Sequence, residues 1–143
     1  MNTNDYIHDV CDFLDIDFPK IEYVKDFYTP TMLAMIEYQD GQATLQVKSD
    51  FQNPMDLYFA IAHELRHLWQ IEIGLFCFSS YKSANEIDIM GYNMQPDEID
   101  ANAFAKLWLI HRFKMEPLFS GMPEMVKTAI DNRYKELLEM YTI

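Results

Sequence analysis

Basic residues are scarce in this 143-residue chain: 11 lysines and arginines stand against 23 aspartates and glutamates, a formal charge of −12. A surface of that sign repels polyanions, which excludes nucleic acid and anionic membrane as primary partners. The excess acid serves solubility, and it mildly favours a cationic partner. Cysteine is nearly absent. Cys11 and Cys77 are the only two and form no CxxC pair, too few for a disulfide scaffold. The N-terminus, MNTNDYIHDVCDFLDIDF, has neither a basic region nor a continuous apolar core, so it does not read as a signal peptide. With no secretion signal the two cysteines are expected to be reduced thiols, and the expected location is cytoplasmic. No run of 18 apolar residues is present, so no membrane span is expected.

What the chain does have is core material. Half of it is hydrophobic and 15% aromatic, and without repeats, low-complexity tracts or linkers residues 1–143 read as a single domain. Tyr6, Ile7, Val10, Phe13 and Leu14 are spaced for a helix over residues 4–16, stopped by Pro19. Lys20 to Tyr28 alternates loosely and suggests a first strand. In TMLAMIEYQDGQATLQVKS two strand-like runs flank Asp40-Gly41, a pair suited to a tight hairpin. Asn53-Pro54 opens a helix from about Met55 to Ile73, with Gly74 at its stop. Residues 75–95 show no period. A further helix is expected from Pro96 to about Phe113, with Asp97 and Glu98 in its first turn, and a last one follows Pro123. One helix, then strands, then three helices is an α+β order.

The chemistry gathers in FAIAHELRHLWQIEIG, Phe59 to Gly74. His63 and His67 are four apart on a helix, so both imidazoles leave one face, roughly 6 Å apart at their roots. Two neutral imidazoles so placed hold one Zn²⁺. Glu64 lies a third of a turn away, poorly placed as a ligand but within reach of a water on the metal. The metal would lower that water's pKa, and Glu64 would take its proton as a carbonyl is attacked. The bland alternative is a hydrogen-bonded histidine pair. Ala60, Ile61, Leu65, Leu68 and Ile71 make the helix largely apolar, and two histidines and a glutamate buried there need a partner.

A catalytic zinc needs a third protein ligand and an open position. His111 is the next histidine, far beyond the reach of an extended histidine motif. In EIDANAFAKLWL, Glu98, Ala101, Asn102, Ala105 and Leu109 share one helical face, and the two alanines would let it approach the HExxH helix closely. Glu98 is therefore the expected third ligand, and Asn102, one turn on, its neighbour in support. Asp100 points off that face, and Asp97 reads as a first-turn acid.

HELRH followed some thirty residues later by EIDANAFA resembles the glutamate zincins, or gluzincins, and looks most like short intracellular members near the ImmA/IrrE peptidases and the M48 family, including small zincin-like proteins of phages and Gram-positive bacteria. The likeness covers Ala60–Gln70 and Pro96–Ala105 and is diffuse elsewhere. It implies His63, His67 and Glu98 as zinc ligands, Glu64 as general base, and Asn102 where an aspartate often stands. It also implies a zincin-like fold: an N-terminal helix, a small mainly antiparallel sheet, the HExxH helix, a ligand helix and a C-terminal helix. An edge strand beside the cleft would bind an extended peptide by strand addition, and Ala43–Val47 is the candidate, an ordinary core strand being the alternative. For the oxyanion, Tyr92 is preferred over Tyr81 and His111. The expected activity is zinc-dependent hydrolysis of a protein or peptide substrate. The alternative is an inactive zincin-fold protein that captures a partner.

Overall fold

The computed structural model describes residues 2–49, 51–76, 80–83 and 86–142. Helix α1 (Thr3–Leu14) starts where the Asn2 side chain accepts the Asp5 N–H at 2.8 Å, and ends on Asp15 in the left-handed conformation. It buries Tyr6, Ile7, Val10 and Leu14 as its periodicity marks out, together with Cys11, while Phe13 is only partly buried. Burial pushes the Cys11 thiol up to about 12, so it is an inert core side chain. Cys77 lies outside the described residues.

Three strands follow: β1 (Lys20–Val24), β2 (Ala34–Gln39) and β3 (Gln42–Lys48). Asp40 and Gly41 form the two-residue link of the β2–β3 hairpin, with φ of 53° and 79°. Positive φ at both positions is the mirror-image turn whose twist matches the strands, and glycine is the residue that takes it without strain. The sheet order is β1-β3-β2, with β1 parallel and β2 antiparallel to β3. The expectation of a mainly antiparallel sheet is therefore corrected: the sheet is mixed, one pair of each kind. So is the edge assignment. Ala43–Val47 lies in the central strand, paired on both sides, which is why Leu45 and Val47 are fully buried. The hairpin's other arm, β2, is one edge and β1 is the other, and β2 is the one that lies beside Glu64. The first strand also ends at Val24, short of Tyr28.

Helix α2 (Pro54–Glu72) begins at an Asn53 side-chain cap with Pro54 in its first turn, where the missing N–H costs nothing. A six-residue helix, α3 (Ile89–Met94), precedes α4 (Pro96–Phe113), and α5 (Glu124–Met140) closes the chain. Helix α2 packs against α4 on one side and against β2 and β3 on another, while α5 covers α4 and α1 packs on α2. Ala101, Ala103 and Ala105 are fully buried on α4, and such small side chains let helix axes come close. The result is an α+β fold of N-terminal helix, mixed sheet and following helices. Among the described residues no helix is long and apolar enough to cross a membrane.

Candidate metal centre

The α2–α4 contact brings His63, His67 and Glu98 together. One Glu98 oxygen lies 3.1 Å from His63 Nε2, the other 2.7 Å from His67 Nε2. The candidate ligand atoms of all three fall within 4.8 Å of one another. A tetrahedral ion with bonds of about 2.0–2.1 Å spaces its ligand atoms roughly 3.3 Å apart. The two histidine–carboxylate separations lie close to that spacing and the widest pair of the set must draw in toward it, so two imidazole nitrogens and a carboxylate oxygen form a donor set that fits a metal ion such as zinc.

The cluster is electrostatically unusual for a buried one. Glu98 is 1% exposed. Burial alone would raise its pKa, but the charge of His63 and the hydrogen bonds of both histidines hold it well below the usual carboxylate range. Burial likewise pulls His67 down, yet the hydrogen bond and charge of Glu98 outweigh it and raise His67 to about 9. A proton thus holds His67 to Glu98, and a cation held by this cluster would compete with it.

The outward ring nitrogens are occupied. His63 Nδ1 donates to Asn102 Oδ1 at 2.9 Å, the supporting contact the helical face predicts. His67 Nδ1 donates to Gln70 Oε1 at 2.8 Å. Both contacts turn Nε2 inward, the orientation a metal requires.

Glu64 stands beside the cluster and outside it. Its Oε2 is 3.8 Å from His63 Nε2, and its Oε1 accepts the backbone N–H of Ile36 at 2.9 Å. This bond ties α2 to the edge strand β2. Together Ile36, Glu64, His67, Phe76, Tyr81 and Tyr92 line much of a cleft of about 450 Å³.

Of the candidates for a further polar group, Tyr81 is nearest. Its hydroxyl donates to Glu98 Oε2 at 2.7 Å, and the Tyr92 oxygen lies 3.2 Å from the Tyr81 oxygen, one step further out. Burial first, then the Glu98 charge, pushes both phenols above their ordinary range, so each remains a neutral donor. His111 is exposed near the end of α4, on a turn remote from the cluster. Asp97 contributes through its backbone carbonyl, which accepts from Gln70 Nε2 at 2.9 Å. Asp100 points away from the cluster, as its helical position requires. It is nonetheless a buried hub, accepting from Arg66, Arg133 and Gln70.

Gln70 and the Arg66–Asp100 pair escaped the sequence reading, although a signal existed. Arg66 interrupts an apolar helix, and a charge there implies a buried partner. It is fully buried, its guanidinium 3.5 Å from the centre of the Trp69 ring. No protein-family model, curated protein or solved structure gives a significant match to this chain.

Proposed function

We propose that this chain is a zinc-dependent peptidase with a gluzincin-type site, its metal held by His63, His67 and Glu98. The observation that carries the reading is Glu98. A carboxylate almost sealed from solvent sits between two imidazoles, with no lysine or arginine against it among the described residues. A second glutamate stands alongside without joining the cluster. A structural metal needs ligands but gains nothing from that second carboxylate. Bound there, zinc supplies Lewis acidity toward a water and a peptide carbonyl.

The chain's own groups divide the rest of the work. Glu64 is the general base, taking the proton of the attacking water. The Tyr81 hydroxyl, with Tyr92 behind it, would turn from Glu98 Oε2 to donate to charge developing on the carbonyl oxygen. The peptide lies extended along β2. Ile36 turns its N–H away from β3 toward Glu64, and Ala34 and Tyr38, two residues to either side, share its orientation. That edge, rather than Ala43–Val47, is the strand for main-chain pairing with substrate, through Ala34 and Tyr38 on either side of the Ile36 donor that Glu64 already holds.

A second reading, a metal-bearing protein that captures a partner without turnover, draws on the same Glu64. One of its oxygens is already engaged by Ile36, so it also serves as a strut. Glu64→Gln separates the two readings, because the amide oxygen still accepts the Ile36 N–H. Purified chain is expected to carry one zinc, retained in this variant. Incubated with a proteome-derived peptide library, wild type is expected to produce new termini, and Glu64→Gln to slow their formation by at least about 10²–10⁴. Cleavage that survives the substitution refutes Glu64 as the base. A zinc-loaded wild type that cuts nothing, yet retains a defined partner as well as the variant does, establishes the second reading.

A further inference from the structure

The contacts behind His67 do not stop at the metal cluster. Gln70 Nε2 faces two acceptors, the Asp97 carbonyl at 2.9 Å and Asp100 Oδ2 at 2.8 Å. An amide donates from one end only, so its oxygen must face His67. The Nδ1 of His67 must then carry hydrogen, and Nε2 is left to face Glu98. Asp100, which touches neither imidazole, thereby sets the orientation of one of them.

Asp100 is itself held from two helices. Arg66 of α2 donates to both its oxygens, at 2.7 and 3.1 Å, and Arg133 of α5 donates to Oδ1 at 2.8 Å. Arg66 also reaches the Tyr141 hydroxyl at the end of α5, at 2.6 Å. His63 has no such extension: its outward partner, Asn102, lies on α4 itself. From this we infer that α5 is a positioning element for the metal centre, acting through Arg133 and Tyr141 on Asp100, Gln70 and His67. The Arg133 and Tyr141 contacts, rather than α5 docking in general, raise metal affinity, and by reciprocity a bound metal tightens those contacts. The inference rests on reading His63, His67 and Glu98 as a metal site, and is independent of peptidase activity.

The fold supplies its own control. Lys106 of α4 pairs with Asp131 of α5, joining the same two helices without touching Gln70 or Asp100. Zinc affinity is measured by competition with a chromophoric chelator for wild type, Gln70→Met, Arg133→Met, Tyr141→Phe and Asp131→Asn, alongside thermal melting of each metal-free protein. Gln70→Met is expected to weaken zinc binding about 10–100-fold. Arg133→Met and Tyr141→Phe, remote from the metal, are expected to weaken it about 3–10-fold. Asp131→Asn is expected to lower melting temperature while leaving affinity within about twofold of wild type, the scatter of independent sites. Zinc is also expected to slow amide exchange in α5 of wild type, and less so in Arg133→Met. A wild type that binds no zinc overturns the metal reading and this inference with it. A wild type that binds zinc, with Arg133→Met equal to it or matched by Asp131→Asn, overturns the inference alone.

Discussion

Raising the pH from 6.5 to 9 is expected to destabilise the metal-free protein while strengthening its grip on zinc. The lever is the proton between His67 and Glu98, 2.7 Å apart. Burial opposes charge on His67, but Glu98 outweighs it, moving the imidazole from 6.5 to about 9. A folded value above the unfolded one gives a contribution fully present below pH 6.5 and lost as pH rises through 9. Its size is about 3 kcal/mol. At 6% exposure His67 has little solvent to screen it. For a chain of this length that is about 10 °C in melting temperature. Zinc competes for the same nitrogen, so its apparent affinity is expected to rise about tenfold per pH unit over the same window. Melting followed by circular dichroism in excess chelator, at half-unit steps of pH, reads the first effect. Glu98→Gln serves as reference, since it removes the charge that holds the proton. A metal-free wild type whose melting temperature follows the profile of Glu98→Gln between pH 6.5 and 9 refutes the reasoning.

Glu98→Ala is expected to reduce zinc affinity by about two orders of magnitude or more, whereas Asp97→Asn, whose contribution is a backbone carbonyl, leaves it nearly unchanged in a chelator competition. Ala101→Leu places a bulky side chain on the fully buried stretch of α4 that carries Glu98. Overpacking there is expected to cost about 1–3 kcal/mol in urea denaturation and to weaken zinc binding as α4 shifts. Arg66→Met leaves Asp100 with one arginine instead of two in a buried site, an expected loss of about 3 kcal/mol by the same assay.

The elements whose signals are local could be read from sequence. Apolar spacing set the buried face of α1. Asp40-Gly41 set the hairpin, and Asn53-Pro54 and Pro96 set the starts of α2 and α4. The clustering of His63 and His67 with Glu98 followed from two helical periodicities and the two alanines on one face. What failed was pairing. Either arm of a hairpin can lie at the edge, and only the parallel docking of β1 on β3 decides it, a contact between residues some 24 apart in the chain. Helix α3 is too short to show a period, although Asp88 caps it with a 2.7 Å bond to the Gly91 N–H. That Tyr81 rather than Tyr92 donates to Glu98 depends on loop path, which no spacing rule reports. Gln70 looked like one more polar residue at the end of α2, because its partners come from the first turn of another helix.

The bond from Glu64 to Ile36 also bears on how copies of this chain behave in solution. A bare strand at the margin of a sheet is a template for another strand, and sheets extend from such margins into dimers and aggregates. On β2 the backbone donor at the middle of the margin is stoppered by a charged side chain from the helix behind it. Removing that side chain altogether, as in Glu64→Ala, frees the donor and takes away the charge that repels a neighbouring sheet. Inactivity of such a variant would mix lost proton transfer with self-association. Glu64→Gln keeps the stopper but also loses the charge, so loss of turnover in it is read as chemistry when its sedimentation matches that of wild type.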